Sequence, residues 1–158
     1  EVDPQCREAA AWALGSLGRE GQEAAAALLY HEDLDVRGLA CLALEAAKEA
    51  EAEKAAEMLI SWLQEAGATE VSLRVRAVQA LGKLRVAKSR RLLAATAADA
   101  DPSLREASVL ALGRLGLQRD SDSDCDFLLV AALDDAEASV REAAACALAM
   151  RAKSTATA

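Results

Sequence analysis

Two short stretches of the chain carry residue types that do chemistry. The first is "DSDSDCD", Asp120–Asp126, whose alternating carboxylates suit a hard cation such as calcium. A calcium loop also needs Gly at its sixth position and Glu at its twelfth, and Cys125 and Ala131 stand there instead. The stretch therefore reads as an acidic loop whose last Asp residues cap a helix starting near Phe127. The second is "YHED", Tyr30–Asp33, where the only histidine, His31, precedes Glu32. One histidine cannot build a multi-histidine metal site, so His31 is expected to sit exposed at a helix end, where positive charge is favoured. Away from His31 no nucleophile has an imidazole base to activate it. The eight glycines stand singly, as at helix ends and turns, and form no phosphate-cradling loop. No catalytic residue, metal site or cofactor is expected.

Cys6, Cys41, Cys125 and Cys146 show neither a CxxC pair nor metal-ligand spacing. Free cysteines of this kind behave as small hydrophobes and point to a reducing intracellular compartment. The cytoplasm fits, as does an organelle interior such as a plastid stroma after removal of a targeting segment. The chain opens at Glu1 rather than Met, as a processed protein or a piece of a longer one would.

Charge narrows the partners. The net charge is −8, and the basic residues are scattered apart from "KSRR" at Lys88–Arg91, which reads as a solvated helix start. Nucleic-acid affinity rests on clustered cations, so no nucleic-acid partner is expected. No apolar run approaches the length of a membrane span, so no membrane insertion is expected. Aromatics make up 3% of the chain while about a quarter of it is Ala. Such a core suits helices packed at short range rather than a large globular interior.

The elements behind this composition repeat. Arg7, Arg37, Arg74, Arg105 and Arg141 each have Ala six residues on (Ala13, Ala43, Ala80, Ala111, Ala147). Each has Leu seven residues on (Leu14, Leu44, Leu81, Leu112, Leu148) and an acid four residues before (Asp3, Asp33, Glu70, Asp101, Glu137). Three units place Gly at the eighth position: Gly15, Gly82 and Gly113. Each unit reads as a helix with the acid as N-cap, and Pro4 and Pro102 follow two of these acids where a missing amide costs nothing. Positions −1, +3, +6, +7 and +10 from the Arg form its packed face. Gly18 and Gly116 mark ends. Second apolar patterns lie between these helices, at 22–31, 53–67, 88–98 and 124–133. The spacing predicts about nine helices: a lone helix 4–18, then pairs at about 21–50, 53–86, 88–117 and 123–153. A cation in the first turn opposes the helix dipole. Five such choices call for a tertiary cause, and an Asp–Arg ladder through the turns of successive units would supply one.

The phrases "DLDVRGLACLAL", "DPSLREASVLALGRLG" and "EASVREAAACALAM" resemble the HEAT-repeat family, nearest to the HEAT-like repeats of phycobilisome lyases. The resemblance covers essentially the whole chain, 1–158. It implies an all-α fold, a right-handed α-solenoid of helix pairs whose Arg-bearing helices line the concave face. Deoxyhypusine hydroxylase is a HEAT-like enzyme that binds iron through several His-Glu pairs, and this chain has only His31 with Glu32. The lone first helix would leave Ala9, Ala10 and Ala13 facing a partner not in the chain, so protein partners in a larger complex are expected at this end.

The fifth position after each Arg should look outward into the groove, and it holds Trp12, Leu42, Gln79, Leu110 and Cys146. The fourth position adds Ala11, Cys41, Val78, Val109 and Ala145. Either this is an exposed apolar strip that binds a partner segment, with Trp12 as anchor, or tight stacking buries it. Glu8, Glu45, Glu106 and Glu142 make an acidic rim that favours a partner with basic flanks. The expected function is thus a non-catalytic interaction scaffold. The resemblance alone implies an alternative, a bilin or chromophore lyase or chaperone subunit acting on a light-harvesting protein. Lys83 and Arg114 would then be the only groove cations for the pigment's propionates.

Overall fold

The structure, a computed structural model, describes residues 3–65, 70–115 and 123–156. The described residues form nine α-helices and no strand. The helices are α1 (Pro4–Ser16), α2 (Arg19–Leu28), α3 (Leu34–Glu45), α4 (Ala52–Glu65), α5 (Val71–Leu84), α6 (Arg90–Thr96), α7 (Pro102–Leu115), α8 (Ser123–Ala131) and α9 (Ala138–Ala156). Helix α8 begins at Ser123, ahead of the start near Phe127 that its acidic residues suggest. Gly116 and the first residues of the acidic stretch lie outside the described residues. Asp126 sits inside α8, and its carboxylate takes Arg151 Nε at 2.7 Å.

The five Arg-bearing helices α1, α3, α5, α7 and α9 pack each on the next, and α2, α4, α6 and α8 pack alongside them in a second layer. The result is an all-α solenoid, built by neighbour contacts alone. Ala43, Ala80, Ala111 and Ala147 at the sixth position are fully buried, as are Leu44 and Leu81 at the seventh. In α1 the same face is open, with Ala9, Ala10 and Ala13 exposed. Two polar residues stand on the packed face and are buried with partners. Ser108 Oγ lies 2.7 Å from both Thr96 Oγ1 and the Leu104 carbonyl oxygen, which share its one proton, and Arg151 holds Asp126.

The turns explain why the helices start where they do. Asp3, Asp33 and Asp101 accept from the backbone N–H two residues on, at 3.2, 2.8 and 2.8 Å. Glu70, one methylene longer, makes no such cap bond. A second acid, six residues before the Arg, holds the turn itself. Asp99 accepts from Asp101 N–H at 3.0 Å, and Asp135 from Glu137 N–H at 2.9 Å. His31 stands at the same place and does the same work, its Nδ1 accepting from Asp33 N–H at 3.0 Å. His31 is thus exposed at the helix start, as a residue of the turn.

These second acids receive the arginines. Arg74 of α5 reaches Asp99 at 2.7 Å, and Arg105 of α7 grips both oxygens of Asp135 at 2.9 and 2.8 Å. Arg105 and Arg141 also donate to two carbonyls each in the turn before their own helix. Arg37 donates to the His31 carbonyl in the same way. Arg7 finds no acid at the His31 place and stands 3.7 Å from Asp35 instead, with both side chains exposed. The dipole penalty is offset by these carbonyls at Arg37, Arg105 and Arg141, and by the next turn's acid at Arg74 and Arg105.

The bidentate Arg105–Asp135 pair has a pH signature. The Arg105 guanidinium, with the N–H of Glu137, holds the Asp135 carboxyl below its ordinary value of 3.8. An unfolded chain therefore takes up its proton at higher pH than the folded one. The stability gained is complete above about pH 4 and is lost as the pH falls through the folded value. Asp135→Asn should cost about 1–2 kcal/mol at pH 7, and the gap to wild type should narrow between pH 4 and 2. Urea titrations across that range measure it, and a gap independent of pH would refute the assignment.

Candidate functional site

Helix spacing in the Arg-bearing layer depends on the residue eight places after each Arg. A methyl group on Gly82 would lie 2.7 Å from Ala111 Cβ, and one on Gly113 would lie 2.6 Å from both Cα and Cβ of Ala147. A methyl on Gly15 would meet the Ala43 carbonyl. Each of these glycines seats the helix backbone directly on the sixth-position Ala of the next helix, inside a helix and not at its end. Helix α3 has Glu45 at this place. Its carboxylate instead turns to Lys83 Nζ of α5, at 2.6 Å, and its side chain is buried. The α3–α5 junction is thus the one in the layer without a backbone-on-Ala seat.

A cleft opens there in two connected parts. One, of about 370 Å³, runs past Arg7, Leu34, Asp35, Glu70 and Leu73. The other, of about 550 Å³, runs past Leu42, Val71, Val75, Gln79 and the Glu45–Lys83 pair. Both parts share Gly38, Ser72 and Arg76. Gly38 has the Arg76 side chain across it, since a methyl there would lie 3.4 Å from Arg76 Cδ and Nη1. Cys41 forms part of the floor, and burial pushes its thiol up to about 12. It is a protonated hydrophobe and no nucleophile at neutral pH. Among the described residues no group of histidine, cysteine and carboxylates could hold a metal ion.

The residues of the outward strip divide. Trp12 is 51% exposed, and Gln79 and Cys146 are exposed as well. Leu42 and Leu110 are half-buried and pack on the edge of the core. Val78 and Val109 do not line a groove, being 0% and 2% exposed. Cys41 and Ala11, also at the fourth position, are buried too. The 100° step of a helix turns the fourth position sideways, against the neighbouring Arg-bearing helix, while the fifth clears it. The acidic rim keeps Glu8 and Glu142 exposed and Glu106 half-buried, but Glu45 is taken by Lys83. That pairing also engages one of the two cations suited to a pigment's propionates; Arg114 is half-buried on α7.

Sequence reasoning did not single out Gly38, Val71, Val75 or Arg76. The signal was present in "LALE", where Glu45 replaces the Gly of the other units. What that Gly does becomes visible only when two helices are set side by side. A family model described as HEAT repeats matches residues 56–149. No curated protein matches the chain.

Proposed function

Because the chain belongs to the HEAT-repeat family, whose repeats generally mediate protein–protein interaction, we propose that it is a binding scaffold that holds a segment of a partner protein in the α3–α5 cleft. The observation that carries this is the unseated junction. It leaves about 550 Å³ open beside Leu42, Val71 and Val75, a volume on the scale of ligand-sized sites with apolar walls. Exposed Trp12, on the same layer, extends the contact as an aromatic anchor. A net charge of −8 supports a partner whose flanks are basic, since such flanks speed encounter. The open face of α1, with Ala13 exposed where every other sixth-position Ala is buried, supports a further helical element packed there, as in a larger assembly.

A photo-crosslinking residue placed at Gln79, expressed in the protein's own cells, should give a small set of discrete protein adducts. The same probe at Glu57, exposed on α4 in the other layer, should not. Equal adducts from both sites, or none from Gln79, would overturn the reading.

A further inference from the structure

The cleft holds a cation that forms no ion pair among the described residues. Arg74, two residues earlier on α5, is matched by Asp99, Arg105 by Asp135, and Lys83 by Glu45. Arg76 alone in the cleft has no ion-pair or hydrogen-bond partner among the described residues. Carboxylates are not scarce nearby: Asp35 and Glu70 line the same cleft, and the chain carries 26 acids against 18 bases. Arg76 borders both parts of the cleft: the wider one sets Arg76 and Lys83 against Glu45 alone, and the narrower one sets Arg7 and Arg76 against Glu8, Asp35 and Glu70.

The position of Arg76 is built. Its side chain crosses Gly38, where a Cβ would lie 3.4 Å from Arg76 Cδ and Nη1, at van der Waals contact. Leu42, Val71 and Val75 stand half-buried beside it, and Ser72, Gln79 and Ser103 offer hydrogen-bonding groups around the rim. The guanidinium fork matches a carboxylate's two oxygens, and a bidentate charge-assisted bond is stronger than a neutral one.

Resting on the scaffold reading above, we propose that the cleft selects its partner through one acidic side chain, whose carboxylate sits on Arg76 while aliphatic neighbours in the partner pack on Leu42, Val71 and Val75. The acid lies in the middle of the recognised segment, and the segment's ends carry the basic residues that the surrounding acidic surface attracts. A polyphosphate backbone is disfavoured, because a single unmatched cation cannot offset repulsion from the rest of the surface.

The probe is a random twelve-residue peptide library displayed on phage and panned against the full chain. Enriched peptides should share an Asp or Glu flanked by aliphatic residues. Arg76→Ala should weaken a synthetic peptide of that sequence by about tenfold or more in titration calorimetry, as removal of one charge-pair partner does. Arg76→Glu should enrich Lys or Arg at the position the acid held. Arg76 is exposed on α5, so both variants should keep the wild-type circular dichroism and melting temperature. Cleft-binding peptides without an acid, or binding unchanged in Arg76→Glu, would overturn the inference and leave the scaffold reading standing. Enrichment only of peptides that Leu42→Asp does not affect, or no enrichment, would overturn both.

Discussion

Gly113→Val is expected to lower the stability of the chain by about 3 kcal/mol, the upper end of overpacking costs. The added atoms have nowhere to go, because the first of them meets the backbone and Cβ of Ala147 at 2.6 Å. Helix α9 must then move away from α7, which opens the buried contacts of Ala111, Leu112 and Ala147. Gly113→Ala is the sharper test. Ala is favoured over Gly in a helix by about 1 kcal/mol, so propensity alone predicts stabilisation. Steric conflict predicts the reverse, a net loss of about 1–2 kcal/mol. Glu45→Ala at the open junction serves as the control and should stay within about 1 kcal/mol of wild type, the range of a partly exposed ion pair. Thermal melts followed by circular dichroism resolve these, since about 3 kcal/mol displaces the midpoint by roughly 6–12 °C at this chain length. A Gly113→Ala variant more stable than wild type would show that the seat is not tight.

Trp62→Ala should cost about 3–5 kcal/mol, the largest single loss expected from the second layer. Trp62 is 2% exposed on α4, and its indole Nε1 donates to the Leu29 carbonyl at 3.1 Å. That carbonyl belongs to the last turn of α2, where helical partners run out. Removing the ring leaves a cavity and an unsatisfied carbonyl together. Trp62→Phe keeps most of the volume and loses only the bond, so about 1–2 kcal/mol is expected. Fluorescence identifies the species. With Trp62 gone the remaining emission comes from Trp12, which is half-exposed and should emit at longer wavelength in the folded state. Denaturant curves in which Phe costs as much as Ala would remove the hydrogen bond from the account.

Much of this architecture was legible one unit at a time. The acid, the Arg and the Ala-Leu pair mark each Arg-bearing helix because capping and helical periodicity are local properties, and Asp33 and Asp101 cap as their spacing implies. What was hidden is relational. Asp99 and Asp135 could not be told from Asp101 and Glu137 as partners of the arginines without knowing which turn stacks on which. Val78 and Val109 looked like neighbours of the outward strip, and only the approach of the adjoining helix turns them inward. His31 was expected exposed at a helix end, but its place as the acceptor that Asp99 and Asp135 provide in their own turns could not be read one unit at a time. The pair bounds of about 123–153 match the start of α8 at Ser123, while the capping argument alone pointed later, to Phe127, because it was applied to acids that are themselves helical. Arg76 was one of many surface arginines until its place in the cleft, forming no ion pair among the described residues, could be seen.

Glu45 has a bearing on how such arrays change over generations. Three junctions are closed by glycine and one is opened by glutamate, and codons for these two residues can differ by a single base. Opening a seat at one junction leaves the stacking of the others untouched, because each unit contacts only its neighbours. A cleft can therefore be opened or closed at one junction by a single substitution with no new fold, the steric cost falling on that junction. In such a protein the place of an opening can change by one residue while the repeat pattern that folds the array stays as it is.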